Sequence, residues 1–535
     1  MHKESQNVSV KEIVIVCILG MALLAIPCVV LGTITSGIHL VDDHELLMCV
    51  YNYRNGTTLK ELIGSALKSD LEIRFRPLYV LVQMLLIPVF EDNLVGYGVL
   101  KAAEAVVAFV FMYLIARNLK PYKCEKIYAF IFALTVFLGY QSCIWWKLGT
   151  HEIQGELLFS IGFYLFLRYI ETEKNKFIVL SLVAFEMMIF YKENLFLLLP
   201  FVGLYMLYLD IGSSKVSLKV LWISIKKRLV IYIVLLLQMA QVVVGYLNIG
   251  TPYNPNGTQE GTFGIGLNMF NSEVWEDAFH SDLKWFSGFG LLFMMILLTF
   301  FDELKKYWKE LILGIVIILP QVIVFASTGM TERYIVPASI GFAYIFVYFP
   351  LTTGVLQKGR KKLYILGLVL LTLAHGRVML READYYRLRG NGVQATVDFV
   401  VDTSRMHPDV KILSTLEYAE SNRTLEIYSI MRNVDNMYFY HTYHDDTNDP
   451  YIDRKYDGRD LLAEEDDFYS IDRLNEFDVI VMYSKEDRHY PAIPVINIDT
   501  SDFEAKRYGT LDVYVRNGSG INFPDSGIEP LKINF

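Results

Sequence analysis

Charge is scarce in this sequence. Only 20% of its 535 residues are Asp, Glu, Lys or Arg, and its mean hydropathy is +0.34. An average soluble domain carries roughly 25% charged residues, so an ordinary water-soluble enzyme of this length is excluded. Cysteine is scarce as well: Cys17, Cys28, Cys49, Cys124 and Cys143 are the five, and none follows position 143. No two of them have metal-ligand spacing, and they cannot form the framework of a small disulfide-stapled domain. Internal repeats and low-complexity tracts are lacking too. Aromatic residues are plentiful, with 35 Tyr, 34 Phe and 6 Trp.

The few charges are unevenly placed. Residues 1–381 hold 33 Lys and Arg against 28 Asp and Glu, whereas residues 382–535 hold 16 against 30. A tail that acidic repels phosphates, which excludes nucleic acid as its partner. The apolar run at 13–34 is long enough to cross a hydrocarbon core of about 30 Å. It reads as an uncleaved anchor, because its flank is mixed in charge (Lys3, Glu4, Lys11, Glu12) and further runs follow. Those lie near 95–116, 127–145, 155–170, 177–191, 194–210, 229–248, 286–301, 311–327, 334–353 and 363–380, for about eleven spans in all.

The connecting loops orient these spans, since loops retained in the cytoplasm collect Lys and Arg. One alternating set contains Arg117, Lys120, Lys123 and Lys126, then Arg168, Lys174 and Lys176, then Lys215, Lys219, Lys226, Lys227 and Arg228. It continues with Lys305, Lys306 and Lys309, and with Lys358, Arg360, Lys361 and Lys362. The other short loops hold Lys147, Lys192, Lys284 and Arg333. This asymmetry predicts a multi-pass protein of the cell membrane, with a cytoplasmic N-terminus and an extracytoplasmic C-terminal domain.

The apolar stretch at 77–90 is too short for a span, and counting it as one would invert every later loop. It is expected to be a re-entrant or interfacial helix within a first outer loop at 35–94. In the same loop Leu59, Leu62, Ile63, Ala66 and Leu67 recur at helical spacing, and Thr58 and Glu61 have the spacing of a capping box. An amphipathic helix along the membrane surface is the expectation. A transmembrane domain at 1–381 is then followed by a small α/β domain at 382–535. Strands are predicted at 410–414, 437–443, 478–483, 493–498 and 510–515, with a helix at 396–404 and an acidic loop at 444–467.

Unusual polar residues fall in the outer loops. Asp42, Asp43, His44 and Glu45 follow the first span, and carboxylates at a membrane interface are costly unless solvated, paired or functional. Arg74 and Arg76 precede Pro77. His151, Glu152 and Glu156 follow the third span, Lys192 and Glu193 occupy a tight turn, and Glu332 and Arg333 open a late span. If the bundle closes, these loops meet at one face around a common cavity. Trp145 and Trp146 read as an interfacial aromatic belt, and Glu104 and Glu186 read as isolated charges within spans.

A mixture of acids and cations suits glycosyl transfer from a polyprenyl-phosphate sugar. A poorly nucleophilic acceptor hydroxyl needs a carboxylate to take its proton. The departing lipid phosphate needs cations to hold its charge. An acidic pair after the first span, a long first outer loop, Arg-x-Arg-Pro before an interfacial helix, Lys-Glu at 192–193 and Thr-Glu-Arg-Tyr-Ile-Val-Pro at 331–337 together resemble the GT-C superfamily of membrane glycosyltransferases. Protein O-mannosyltransferases and lipid A aminoarabinose transferases are the nearest general types.

That resemblance implies a GT-C-like helical bundle whose donor is a polyprenyl-phosphate-linked sugar and whose acceptor is a lipid, glycan or protein. It implies Asp42 or Asp43 as the catalytic base, with Arg333 and Lys192 holding the lipid phosphate. Glu45, Arg74, Arg76, His151, Glu152, Glu193 and Glu332 complete the expected substrate-binding set. His151-Glu152 stands where a metal-dependent relative would carry a second Asp-x-Asp, so a metal-independent reaction without a cofactor is expected. The rival readings are a polysaccharide polymerase or ligase, and a transporter or flippase of lipid-linked sugars, which would place its ionisable residues near mid-membrane.

Overall fold

The computed structural model describes residues 8–36, 38, 43–73, 75–146, 151–212, 216–248, 284–299, 301, 305–326, 332–356, 358–416, 419–441, 451–453, 476–484 and 501–523. Helices dominate them. Five are long and apolar enough to cross a membrane: Val10–Val30, Leu94–Asn118, Glu193–Ile211, Arg333–Thr352 and Gly359–Met406. Leu218–Lys227 and Leu229–Gly245, bent by 85° at their junction, qualify only as a pair. Val14, Ile15, Ile18 and Val30 on the first helix stay exposed. An apolar face of that kind is at home against lipid, and the chain has the build of a helical membrane protein.

The short apolar helix Pro77–Phe90 is present, with Pro77 in its first turn. Before it, Asp43–Arg54 and Leu59–Ile73 are helical. The capping box is formed: the Thr58 backbone N–H donates to Glu61 Oε2 at 2.9 Å, and the Glu61 N–H donates to Thr58 Oγ1 at 3.3 Å. The two side chains thereby close two of the donors that a helix start leaves open.

Near the C-terminus lies one six-stranded sheet in the order β3-β2-β1-β4-β6-β5, formed by β1 (Ile412–Ser414), β2 (Met437–His441), β3 (Tyr451–Asp453), β4 (Val479–Tyr483), β5 (Phe503–Tyr508) and β6 (Leu511–Arg516). β1 pairs in parallel with β2 and β4, and the remaining pairs are antiparallel. Helix Ala419–Met431 makes the crossover from β1 to β2, as a parallel pair requires. Four strands fall where alternation and β-branched residues predicted them. β3 lies inside the stretch expected to be an acidic loop, and β5 was not anticipated. The strand expected at 493–498 lies outside the described residues.

Two features tie the membrane part to the sheet. The helix Lys358–Met406 is 49 residues long and runs through position 381 without a break. Composition shifts there because one helix leaves an apolar setting for a polar one. Its backbone hydrogen bonds are internal, so nothing forces it to end. The helices Asp43–Arg54, Leu59–Ile73 and Pro77–Phe90 also share a hydrophobic core with the sheet: Leu46, Leu47, Val50, Leu62, Val80 and Met84 belong to the cluster that contains Val397, Ile412, Leu425, Val479 and Val513. The rest of the bundle has its own core.

Trp145 and Trp146 are part of that second core, each with 0% exposure and their rings 5.4 Å apart. They are packing residues and not a lipid-facing belt, which corrects the sequence expectation. Trp145 ends the short 3-10 segment Tyr140–Trp145 and Trp146 caps it, where hydropathy alone had placed the end of a span. Glu104 and Glu186 are also not isolated. Glu104 accepts from Gln154 Nε2 at 2.5 Å, and Glu186 accepts from Gln241 Nε2 at 2.6 Å, each across a helix–helix contact.

Candidate functional site

Residues from four separated loops meet in one buried cluster. Arg76 stands at the N-cap of Pro77–Phe90 in a non-helical conformation, as the residue before a proline must. Its guanidinium is clamped by Asp70: Nε donates to Oδ1 at 3.0 Å, Nη2 donates to the same oxygen, and the Arg76 backbone N–H donates to Oδ2 at 3.1 Å. Burial alone would loosen the proton on this guanidinium, but the negative charges of Glu193 and Asp70 outweigh that effect and hold it more firmly charged.

The remaining Arg76 nitrogen, Nη1, lies 2.9 Å from His151 Nε2, and Lys192 Nζ lies 3.3 Å from the same atom. Arg and Lys can only donate, so Nε2 accepts and the ring proton belongs on Nδ1. Tyr79 packs on the His151 ring with centroids 4.2 Å apart, and Arg76 lies 4.7 Å from the Tyr79 centroid.

Lys192 links this group to the next. Its Nζ is 2.8 Å from Glu152 Oε1, and both side chains are almost wholly buried. Glu152 occupies the first turn of Glu152–Thr172 and also accepts from the His151 backbone N–H at 3.0 Å, a favourable place for a carboxylate at a helix N-terminus. Gly155 makes the meeting possible. A Cβ there would lie 2.4 Å from Leu195 Cδ1 and 3.3 Å from Lys192 Cβ, so a larger residue would push the Lys192 turn away. Arg333, in the 3-10 turn Glu332–Ile335, lies 5.3 Å from the Tyr334 ring, whose other cationic neighbour is Lys192 at 5.5 Å. Glu152 also feels the charge of Arg333.

Arg76, His151, Glu152, Lys192, Glu193 and Arg333 are thus brought together. Glu45 is exposed, three residues into Asp43–Arg54. Asp43 begins that helix, but its side chain lies outside the described residues, as do Asp42, Arg74 and the side chain of Glu332. Asp70, Tyr79 and Tyr334 belong to the cluster and were missed. Asp70 carried a weak signal at most, being one of several charged residues on the helix Leu59–Ile73, six positions before Arg76. Among the described residues no group of three or more His, Cys, Asp or Glu side chains is arranged to hold a metal ion.

The other ends of these helices carry different chemistry. Glu12 binds Lys126 at 2.7 Å and Arg117 at 3.2 Å, Glu310 accepts from Tyr122 and Tyr208, and Asp210 holds Arg228 at 2.9 Å. Glu152–Thr172 alone is 21 residues long, about 30 Å at 1.5 Å per residue. The acid–cation cluster and the Lys/Arg-rich segments therefore occupy opposite ends of the bundle.

Compared with protein-family models the sequence matches none, and comparison with curated proteins also returns no match.

Proposed function

We propose that the protein is a multi-pass membrane glycosyltransferase of GT-C type, with about eleven spans and a cytoplasmic N-terminus. In this reading it transfers a sugar from a polyprenyl-phosphate donor to an acceptor hydroxyl on the extracytoplasmic side. The observation that carries this is the array of Arg76, His151, Lys192 and Arg333, with His151 and Lys192 buried, at the end of the bundle away from the Lys/Arg-rich loops. Three fixed cations at a membrane-facing end suit a lipid phosphate better than a neutral solute. The helix Asp43–Arg54 packs beside it, since Leu46, Leu47 and Val50 share a core with Tyr79 and Tyr191.

The chemistry balances with these groups alone. The acceptor oxygen forms a bond to the anomeric carbon as its proton passes to the carboxylate of Asp42 or Asp43. The bond from the anomeric carbon to the phosphate oxygen breaks, and its electron pair leaves with the phosphate, held by Lys192 and Arg333. No general acid is needed, because the departing polyprenyl phosphate is a phosphate monoester, a far weaker base than a sugar alkoxide, and the cations hold its charge. Arg76, anchored by Asp70, orients His151 and through it Lys192.

Asp42→Asn or Asp43→Asn is expected to abolish transfer to an acceptor while the protein still inserts and folds, measured with purified enzyme and a radiolabelled polyprenyl-phosphate sugar. Full activity in both single variants would remove the base. Arg333→Ala is expected to raise the donor KM by at least tenfold with the acceptor KM unchanged. An unchanged donor KM and rate would end its assigned role.

Polar groups at membrane depth favour a second reading, a transporter or flippase of lipid-linked sugars. Glu104 and Glu186 are paired there. Glu156 is wholly buried, and neither of its carboxyl oxygens has a hydrogen-bond partner among the described residues. The same assay in detergent separates the two readings, because a transporter has no turnover without a membrane to cross.

A further inference from the structure

We propose that the helix Leu218–Lys227 is a lipid-binding element that lies in the membrane interface at the basic end of the bundle and takes anionic phospholipid headgroups. The inference does not depend on the glycosyltransferase reading. Ser217 starts this helix by accepting from the Val220 backbone N–H at 3.3 Å. An 85° bend then separates it from Leu229–Gly245, so if the longer helix crosses the bilayer, the shorter one lies along the surface.

Its composition divides by face. Leu218, Leu221, Trp222 and Ile225 recur at i, i+3, i+4 and i+7, one apolar stripe on a helix of 3.6 residues per turn. Lys226 and Lys219 border that stripe on the side of Trp222, and Lys227 lies opposite it, with the exposed Ile223 between them. Leu221 and Ile225 are half-buried, but Leu218 is 86% exposed and Trp222 64% exposed. A protein in water does not leave a Trp and a Leu that open beside each other without a partner surface. An acyl–headgroup boundary fits both halves: apolar side chains enter it, Trp prefers that depth, and Lys reaches up to the phosphates.

The charge pattern selects an anionic surface. From 211 to 230 the sequence holds Lys215, Lys219, Lys226, Lys227 and Arg228 and no Asp or Glu. The acid facing this corner from a neighbouring helix, Asp210, is already engaged by Arg228 at 2.9 Å and lies 3.4 Å from Lys227. Arg228 is buried and lies 5.2 Å from the Tyr169 ring, which pins the bend. Lys309 donates to the Gly212 carbonyl at 3.0 Å and extends the basic patch onto the helix Trp308–Ala326. Lys219 and Lys226 are exposed.

Hydrogen–deuterium exchange of the full-length protein in lipid nanodiscs tests this. Exchange at 217–228 is expected to be at least about tenfold slower with one third phosphatidylglycerol than with phosphatidylcholine alone, and the difference should shrink in high salt. Lys219→Gln with Lys226→Gln should erase the difference, at roughly fivefold per lysine. Leu218→Ser with Trp222→Ser should speed exchange in both discs. Equal exchange in the two discs overturns the proposal. So does equal protection from inorganic phosphate added to phosphatidylcholine discs, which would make the site one for soluble anions, and so does a lysine double variant that keeps the full difference.

Discussion

Lys192→Met is expected to lower sugar transfer by 100- to 1,000-fold, the usual loss when one fixed charge that stabilises a leaving oxyanion is removed. It should also destabilise the protein, because it leaves Glu152 buried and ionised without its partner at 2.8 Å. Breaking one side of a buried ion pair typically costs about 3–5 kcal/mol. The two effects can be separated. In the double variant Lys192→Met with Glu152→Gln, no charge remains uncompensated, so the thermal midpoint should recover most of the loss. Transfer should not recover, because the cation is still missing. Thermal unfolding and initial rates in the same detergent check both points. If activity returned together with stability, Lys192 would be structural only, and the phosphate would have to be held by Arg76 and Arg333.

Gly390→Ala is expected to have the second largest effect, although Gly390 is far in sequence from every proposed catalytic residue. Gly390 lies in the long helix Lys358–Met406 where the chain leaving the first span crosses it. A Cβ at Gly390 would fall 2.5 Å from the Ser36 carbonyl oxygen and 3.0 Å from that of Ile38. These obstacles are backbone atoms, which cannot rotate away as a side chain can. The segment leading to Asp42 and Asp43 must therefore shift, or the helix must. Overpacking of this kind costs about 1–3 kcal/mol. A displacement of about 1 Å in a catalytic group can lower a rate about 100-fold.

Two turnover parameters tell displacement from unfolding. At a temperature where Gly390→Ala remains folded, kcat should fall while the donor KM stays near that of the parent, since the cations proposed to hold the phosphate are untouched. Gly64→Ala is the control. Nothing lies within 4 Å of its Cβ position, so it should be neutral or more stable by about 0.5–1 kcal/mol through helix propensity. Parent-like kcat in Gly390→Ala would show that the crossing does not position the loop.

Much of the local structure was legible because it depends on short-range physics. The capping box at Thr58 and Glu61, the helix that begins at Pro77, and four of the strands follow from spacing, proline geometry and alternation. The site was legible in part. Arg76, His151, Glu152, Lys192, Glu193 and Arg333 stood out as charges in loops where lipid-facing sequence has few, and the topology required those loops to share one end. Asp70 was overlooked because one acid among Glu61, Asp70 and Glu72 on an amphipathic helix reads as part of its solvated face. Only the fold shows it turned inward against Arg76. Tyr79 and Tyr334 were hidden among many aromatic residues, since their value lies in which cation they face.

The sequence by itself determined the apolar helical build, the split between a basic membrane part and an acidic tail, and the residue types available for chemistry. These follow from composition and periodicity, which act over one or two turns of chain. Tertiary structure alone decided that Trp145 and Trp146 are core, that Glu104 and Glu186 have amide partners, and that the helices between 43 and 90 share their core with the C-terminal sheet. It also decided that Lys192 joins His151 to Glu152. Each of these is a contact between segments tens to hundreds of residues apart. Hydrophobic periodicity states that a face must be buried, but the partner that buries it is chosen by the packing of the whole chain.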